Sequence, residues 1–118
     1  MSFESDLRTL LADLVAERVY PDVAPDVPVF PYITYQQVGG NSLWFNEKAK
    51  PSHKHARVQF NVWARSRVEA NQIARQIENR FITGSFDAEP YGEFVALYES
   101  TLKIYGTRQD FGIWYQDP

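Results

Sequence analysis

Residues 56–65 alternate between apolar and polar side chains. The apolar set recurs at every second position and consists of Ala56, Val58, Phe60, Val62 and Ala64. A period of two residues is typical of a β-strand with one buried face. Trp63 departs from the pattern, because it stands among the polar residues of the other face. The stretch therefore predicts a half-buried strand that carries an indole on its outer side.

A helical period follows directly after this strand. Ser66 and Glu69 form the S-x-x-E spacing of a capping box, which begins a helix. Apolar residues then share one stripe, at Ala70, Ile73, Ala74, Ile77 and Phe81. Gly84 can end the helix. We therefore predict that the strand turns within one or two residues into a helix that lies back across it.

The remaining elements are predicted from the same two periods. A first helix begins after Ser2 and has an apolar stripe at Phe3, Leu7, Leu10, Leu11 and Leu14. The proline-rich residues 20–31 favour an extended connector. Strands are predicted over 32–38, 94–100 and 108–116, and the last two are joined either by one long hairpin or by a short excursion.

The order helix, strand, strand, helix, strand, strand predicts the fold class. Two apolar helix stripes need one apolar sheet face to cover. We expect a single α+β domain over 1–118, with two helices on one face of a four-stranded, largely antiparallel sheet. The other sheet face is left to solvent or to a partner.

Composition narrows the possible functions. The 118 residues include no cysteine, which excludes disulfides and thiolate metal sites. A net charge of −3 argues against a dedicated nucleic-acid binder, and no apolar run approaches the roughly 20 residues of a membrane span. Aromatic residues make up 15% of the chain, more than a small core can hide, and so predict aromatic contact surfaces.

Candidate catalytic chemistry is sparse. The sequence has no phosphate-binding glycine loop, no G-x-S-x-G and no H-E-x-x-H. His53 and His55 would share one face of a strand and so could meet one metal ion. Lys54 between them and the lack of a nearby carboxylate favour plain solvated loop histidines. We expect no enzyme activity, no metal and no cofactor.

Residues 41–55 show neither period and are predicted to form a long loop. Long loops in compact domains are usually functional or mobile. Its cations either are solvated or face a polyanion or an acidic neighbour. Trp44 and Phe45 either pin the loop to its own domain or anchor a neighbouring subunit, since interface cores are enriched in such residues.

The two other tryptophans lie opposite the apolar sets of their strands. Trp63 and Trp114 on one sheet face would form an apolar patch, and such patches usually mark contact surfaces. The candidate subunit or partner interface therefore consists of Trp44, Phe45, Lys48, Lys50, His53, Lys54, His55, Trp63 and Trp114.

The order of several short stretches resembles a known protein family. The stretches are "SFESDLRTLLADLVAERVYPDVAP", "PYITYQQVGG", "ARVQFNVWARSRVEANQIARQI" and "DFGIWY". Together they are similar to the small tail-completion, or tail terminator, proteins of long-tailed bacteriophages and prophages. The resemblance is collinear over nearly the whole chain, and only the loops 41–55 and 84–93 fall outside it.

The resemblance implies a structural virion protein without enzymatic activity or cofactor. Its members cap the head-proximal end of the tail tube as a ring, typically of six subunits, assembled in the host cytoplasm. The implied partners are further copies, the tail tube protein and a head-connector or head-completion protein, with nucleic acid at most passing through the ring. The alternative is a small-molecule binding or regulatory module, which would have an enclosed apolar pocket.

Overall fold

A computed structural model describes residues 2–42 and 53–116. One α-helix runs into a short 3-10 turn near the N-terminus, and a longer helix follows the third strand. In chain order the elements are α1 Phe3–Leu11, the 3-10 turn Ala12–Val15, β1 Val19–Pro21, β2 Tyr32–Gln37, β3 His53–Ala64, α2 Arg67–Thr83, β4 Asp87–Pro90, β5 Val95–Glu99 and β6 Ile104–Gln116.

The strands form one mixed, six-stranded sheet. Its centre is the long antiparallel pair of β3 and β6, which runs from His53 opposite Gln116 to Ala64 opposite Tyr105. β2 is antiparallel to the other side of β3, and β1 is parallel to β2. β4 and β5 follow one another along the outer edge of β6. The predicted α+β class is confirmed.

The predicted count of four largely antiparallel strands is wrong in detail. β1 has three residues at the start of the proline-rich connector, and β4 has four within the predicted polar loop. Three or four residues are too few to show the alternation of a β-strand. These strands are therefore recognised only from their pairing with a neighbouring strand. The join between β5 and β6 is a hairpin, with residues 100–103 at its tip.

The predicted strand and helix of residues 56–83 are confirmed. The Ser66 hydroxyl accepts a hydrogen bond from the Glu69 N–H at 3.2 Å and begins α2. Ser2 begins α1 in the same way, accepting from the Ser5 N–H at 3.1 Å. The five predicted stripe residues of α2 are all buried. Among the described residues, no helix combines the length and apolarity needed to cross a bilayer.

The core lies between the two helices and one sheet face, here called the inner face. Three phenylalanine rings join α2 to the two central strands. The ring centres of Phe60 and Phe81 are 5.3 Å apart, and those of Phe81 and Phe111 are 4.8 Å apart. The space that Phe60 and Ile77 line beneath α2 leaves no room for a water molecule. Both helices therefore cover the inner face, as predicted, and the other face, here called the outer face, is left uncovered by them.

Arg80 ties α2 to the end of α1. Its guanidinium donates to the carbonyl oxygen of Leu10 at 2.8 Å and to both carboxylate oxygens of Asp13, at 2.6 and 2.9 Å. The hydrogen bond from Arg80 lowers the pKa of Asp13 below its ordinary value and raises that of Arg80. The pair therefore stabilises the contact between the helices only while Asp13 is ionised.

We expect Asp13→Asn to lower the melting temperature slightly at pH 7. Because the folded pKa of Asp13 lies below the unfolded value of about 4, the contribution is complete above that value. It is lost as the pH falls through the lower, folded pKa. The difference in melting temperature from the wild type should therefore shrink toward pH 2, and the exposure of Asp13 keeps it small throughout. Asp26→Asn, in the connector, is the control, and a pH-independent difference would contradict the prediction.

Candidate functional site

Two glycines of β6 shape the outer face of the sheet. Gly112 lies opposite Arg57 and Gly106 lies opposite Trp63 on β3. Glycine inside a strand leaves space above the backbone that a neighbouring ring can occupy. Both glycines of this face are covered in that way, by two different aromatic side chains.

The Trp63 ring occupies the space above Gly106. A β-carbon added to Gly106 would come within 2.6 Å of the indole ring. Trp63 is also opposite Tyr32 of β2, whose burial raises the pKa of the tyrosine hydroxyl. The indole is therefore half-buried against its own sheet.

A buried histidine, His55, is the centre of a cluster of side chains at the other end of the outer face. Its Nδ1 accepts a hydrogen bond from the Asn41 N–H at 2.9 Å, and its Nε2 lies 3.1 Å from the Tyr91 hydroxyl. Because Nδ1 is the acceptor, the neutral ring carries its proton on Nε2 and donates to Tyr91. The Trp114 ring lies 4.7 Å from the imidazole, and His55 is buried.

An ion pair extends this cluster along the sheet. Arg57 Nε donates to Asp110 at 2.8 Å, and Gln59 donates to the other oxygen of the same carboxylate at 3.3 Å. The Arg57 guanidinium also lies 4.9 Å from the centre of the Tyr91 ring, and Tyr91 itself covers Gly112. These side chains hold one another in fixed positions. The arrangement suits a preformed contact surface, since the arginine and the carboxylate satisfy each other and leave neither as a reactive group.

Sequence reasoning missed Tyr91 and Asp110 as members of this cluster. Tyr91 belongs to a stretch predicted as a loop, and Asp110 to the polar side of a strand. The available signal was the pair of glycines at 106 and 112, since an isolated glycine in a strand often marks close approach of another group.

The structure places the predicted site residues in three groups. Trp44, Phe45, Lys48 and Lys50 lie outside the described residues. His53 and Lys54 are exposed at the start of β3, whereas His55 is buried and the two other tryptophans are half-buried, at positions Trp63 and Trp114.

The predicted loop 41–55 is wrong at its C-terminal end. His53–His55 belong to β3, where they pair with residues 114–116 of β6. Because the side chains of His53–His55 are all polar, they do not show the alternation of a strand. Pairing with β6 nevertheless extends β3 beyond its alternating apolar residues. His55 is therefore not a solvated loop histidine, and both of its ring nitrogens already have protein partners. Within residues 2–42 and 53–116, no group of three or more His, Asp or Glu side chains is placed to hold a metal ion.

Trp63 and Trp114 share the outer face but do not form one patch. Trp114 pairs with His55, eight residues before Trp63 along β3. At about 3.3 Å per residue, this separation is roughly 26 Å. The outer face therefore carries two separate aromatic surfaces, one at each end.

Comparison with known proteins assigns the chain to a family. A family model described as Tail completion protein gp17 matches residues 4–113 of the 118. The match includes all of β1 to β5 and confirms the resemblance predicted from the sequence. A comparison with curated proteins finds no match. The chain therefore belongs to this family of tail completion proteins, which are structural proteins of phage tails.

Proposed function

We propose that the protein caps the head-proximal end of the phage tail tube and prepares it for head joining. The observation that carries this proposal is the family match over residues 4–113. Tail completion requires a subunit that binds the end of the finished tube. Without it, a tube of identical subunits exposes an end to which further subunits can add.

The outer face supports a role in assembly. Neither described helix covers it, and its aromatic and charged side chains are fixed by the contacts of His55, Arg57 and Asp110. A surface whose side chains are already ordered loses less conformational entropy when a partner binds.

The groove lined by Phe3 and Trp114 is open to solvent, whereas small-molecule sites enclose most of their ligand. An assembly surface therefore fits the geometry better than the small-molecule alternative.

The working unit in this proposal is a ring of six copies. A ring forms through a head-to-tail contact that closes by rotation, so each copy uses two different surfaces. It also multiplies weak contacts with the tube, because linked sites bind far more tightly than one site alone. The tail tube protein lies on one side and a head-connector or head-completion protein on the other, with nucleic acid at most passing through the ring.

The proposed interface uses the residues predicted from the sequence. Trp63 and Trp114 contact partners with the open sides of their rings, while His53 and Lys54 contribute at the exposed start of β3. His55 acts from beneath by positioning Trp114 and Tyr91. Trp44, Phe45, Lys48 and Lys50 complete the same proposed interface.

Deletion of the gene tests this function. We expect filled heads beside overlong or unjoined tails in electron micrographs of the lysate. Wild-type protein supplied from a plasmid should restore normal virions, whereas an empty plasmid should not. Virions of normal tail length in the deletion strain would contradict the proposal.

A further inference from the structure

One end of the domain carries an open groove, here called the end groove. It has a volume of about 1160 Å³, and its apolar lining includes Phe3, Phe86, Trp114 and Tyr115. Phe3 stacks on Tyr115 with ring centres 4.1 Å apart and meets Phe86 edge-on at 6.3 Å. The aromatic walls are therefore held in place before anything binds.

Two carboxylates also line the end groove. Asp6 comes from the first turn of α1, and Asp87 begins β4 on the other side. An occupant that matches this lining has an apolar side chain for the aromatic walls and a positive charge for the carboxylates. Charge complementarity of this kind selects the partner and its orientation.

The tip of the β5–β6 hairpin, residues 100–103, has both features. Leu102 is 64% exposed although it is a large apolar side chain, and Lys103 is next to it. The Glu99 carboxylate accepts a hydrogen bond from the Leu102 N–H at 2.5 Å, which fixes the turn. Tyr98 supports the hairpin by packing on Tyr105 at 5.0 Å. The hairpin tip is therefore an ordered projection with an apolar residue and a cation side by side.

The hairpin tip and the end groove lie at opposite ends of one strand. β6 begins at Ile104 beside the tip and ends at Gln116 in the groove. Its 13 residues span about 40 Å. The tip therefore cannot reach the groove of its own chain, but it can reach the groove of another copy.

We propose that the hairpin tip of one copy docks in the end groove of the next. Leu102 packs among Phe3, Phe86 and Trp114, and Lys103 faces Asp6 and Asp87. The two surfaces differ, so the contact is head-to-tail and leaves a free tip and a free groove on every pair. This inference names the contact between copies and rests on the proposed ring for its closure.

Disulfide trapping tests the contact, because the natural chain has no cysteine. Ser85→Cys places a thiol in the lining of the end groove, and Leu102→Cys places one on the tip. When the two purified variants are mixed and oxidised, we expect a Ser85→Cys/Leu102→Cys heterodimer on a non-reducing gel. The control mixes Ser85→Cys with Val27→Cys, whose side chain is 88% exposed in the connector. A tip–groove heterodimer no more abundant than the control would overturn the proposal.

Charge exchange provides a second test on proteins without added thiols. Lys103→Glu alone and Asp87→Lys alone should each weaken self-association about tenfold in analytical ultracentrifugation. The Lys103→Glu/Asp87→Lys double variant should recover association close to that of the wild type. Circular dichroism checks that each variant folds. The docking would be overturned if all four proteins associate equally, or if none of them associates. It would also be overturned if the double variant fails to recover association.

These tests are separable from the test of the proposed function. If the docking is wrong but the function is right, the deletion strain still makes aberrant tails. In that case Lys103→Glu protein supplied from a plasmid restores normal virions fully. If the function is wrong but the docking is right, heterodimers form while the deletion strain makes normal virions.

Discussion

Replacing Phe60 with alanine is expected to lower the free energy of unfolding by about 3–5 kcal/mol. Phe60 is 2% exposed, and its ring packs against both Phe81 of α2 and Phe111 of β6, at 5.3 and 5.7 Å. The truncation therefore removes the contacts of Phe60 with both α2 and β6. The surrounding side chains come from three different elements, so they cannot readily close over the cavity that remains.

Urea unfolding followed by circular dichroism measures this loss. Val68→Ala in α2 is the matched control, since Val68 is 68% exposed and its truncation removes little buried surface. The control should change the free energy of unfolding by less than about 0.5 kcal/mol. A loss below about 1 kcal/mol for Phe60→Ala would mean that the side chain is not packed as described.

Gly40→Ala is expected to destabilise the protein more than Gly39→Ala does. Both glycines have positive φ, +146° and +126°, so alanine at either position costs about 1–3 kcal/mol in backbone strain. Only at Gly40 would the added β-carbon overlap the carbonyl oxygen of His55, whereas the space beside Gly39 is open. Since the obstacle is backbone, the chain at Gly40 must move away from β3.

That movement breaks two contacts that hold residues 39–41 on β3. The Arg57 N–H donates to the Gly39 carbonyl oxygen at 2.8 Å, and the Asn41 N–H donates to His55 Nδ1 at 2.9 Å. At about 0.5–1.5 kcal/mol for each hydrogen bond, Gly40→Ala should lose about 1–3 kcal/mol more than Gly39→Ala. Urea unfolding gives the difference, and ring resonances of His55 in NMR spectra report its release. Equal losses for the two variants, with an unchanged His55, would refute this expectation.

The parts of the fold that were predictable are those fixed by local sequence. The strand that contains Phe60 and the helix capped by Ser66 follow from alternation and from a hydroxyl three residues before Glu69, and both are found as predicted. β1 and β4 were not predictable, because three or four residues have no period of their own. The strand position of His53 was hidden in the same way, since only pairing with Gln116 of β6 reveals it.

For the candidate site, the face on which Trp63 lies was predictable from the sequence. The contacts among His55, Tyr91 and Trp114 were not. Alternation places Trp63 on the outer face, and the structure finds it there. The contacts of His55 depend on a register that brings Trp114 opposite it and on a loop residue, Tyr91, that folds back over Gly112. Register and loop conformation are set by tertiary packing, so neither is readable from the local pattern. The family assignment came instead from the order of whole stretches along the chain.

The two outer edges of the sheet have a consequence for solubility. On one edge β1 has three residues and ends at Pro21; on the other edge β4 has four residues and ends at Pro90, and β5 has five. Proline has no N–H to donate, and short strands offer few free groups to an incoming strand. Open edges are where β-proteins aggregate, so short strands and edge prolines disfavour polymerisation of this protein through its sheet. Under the proposed function, such edges would limit uncontrolled growth of the protein itself while it waits for tails to finish.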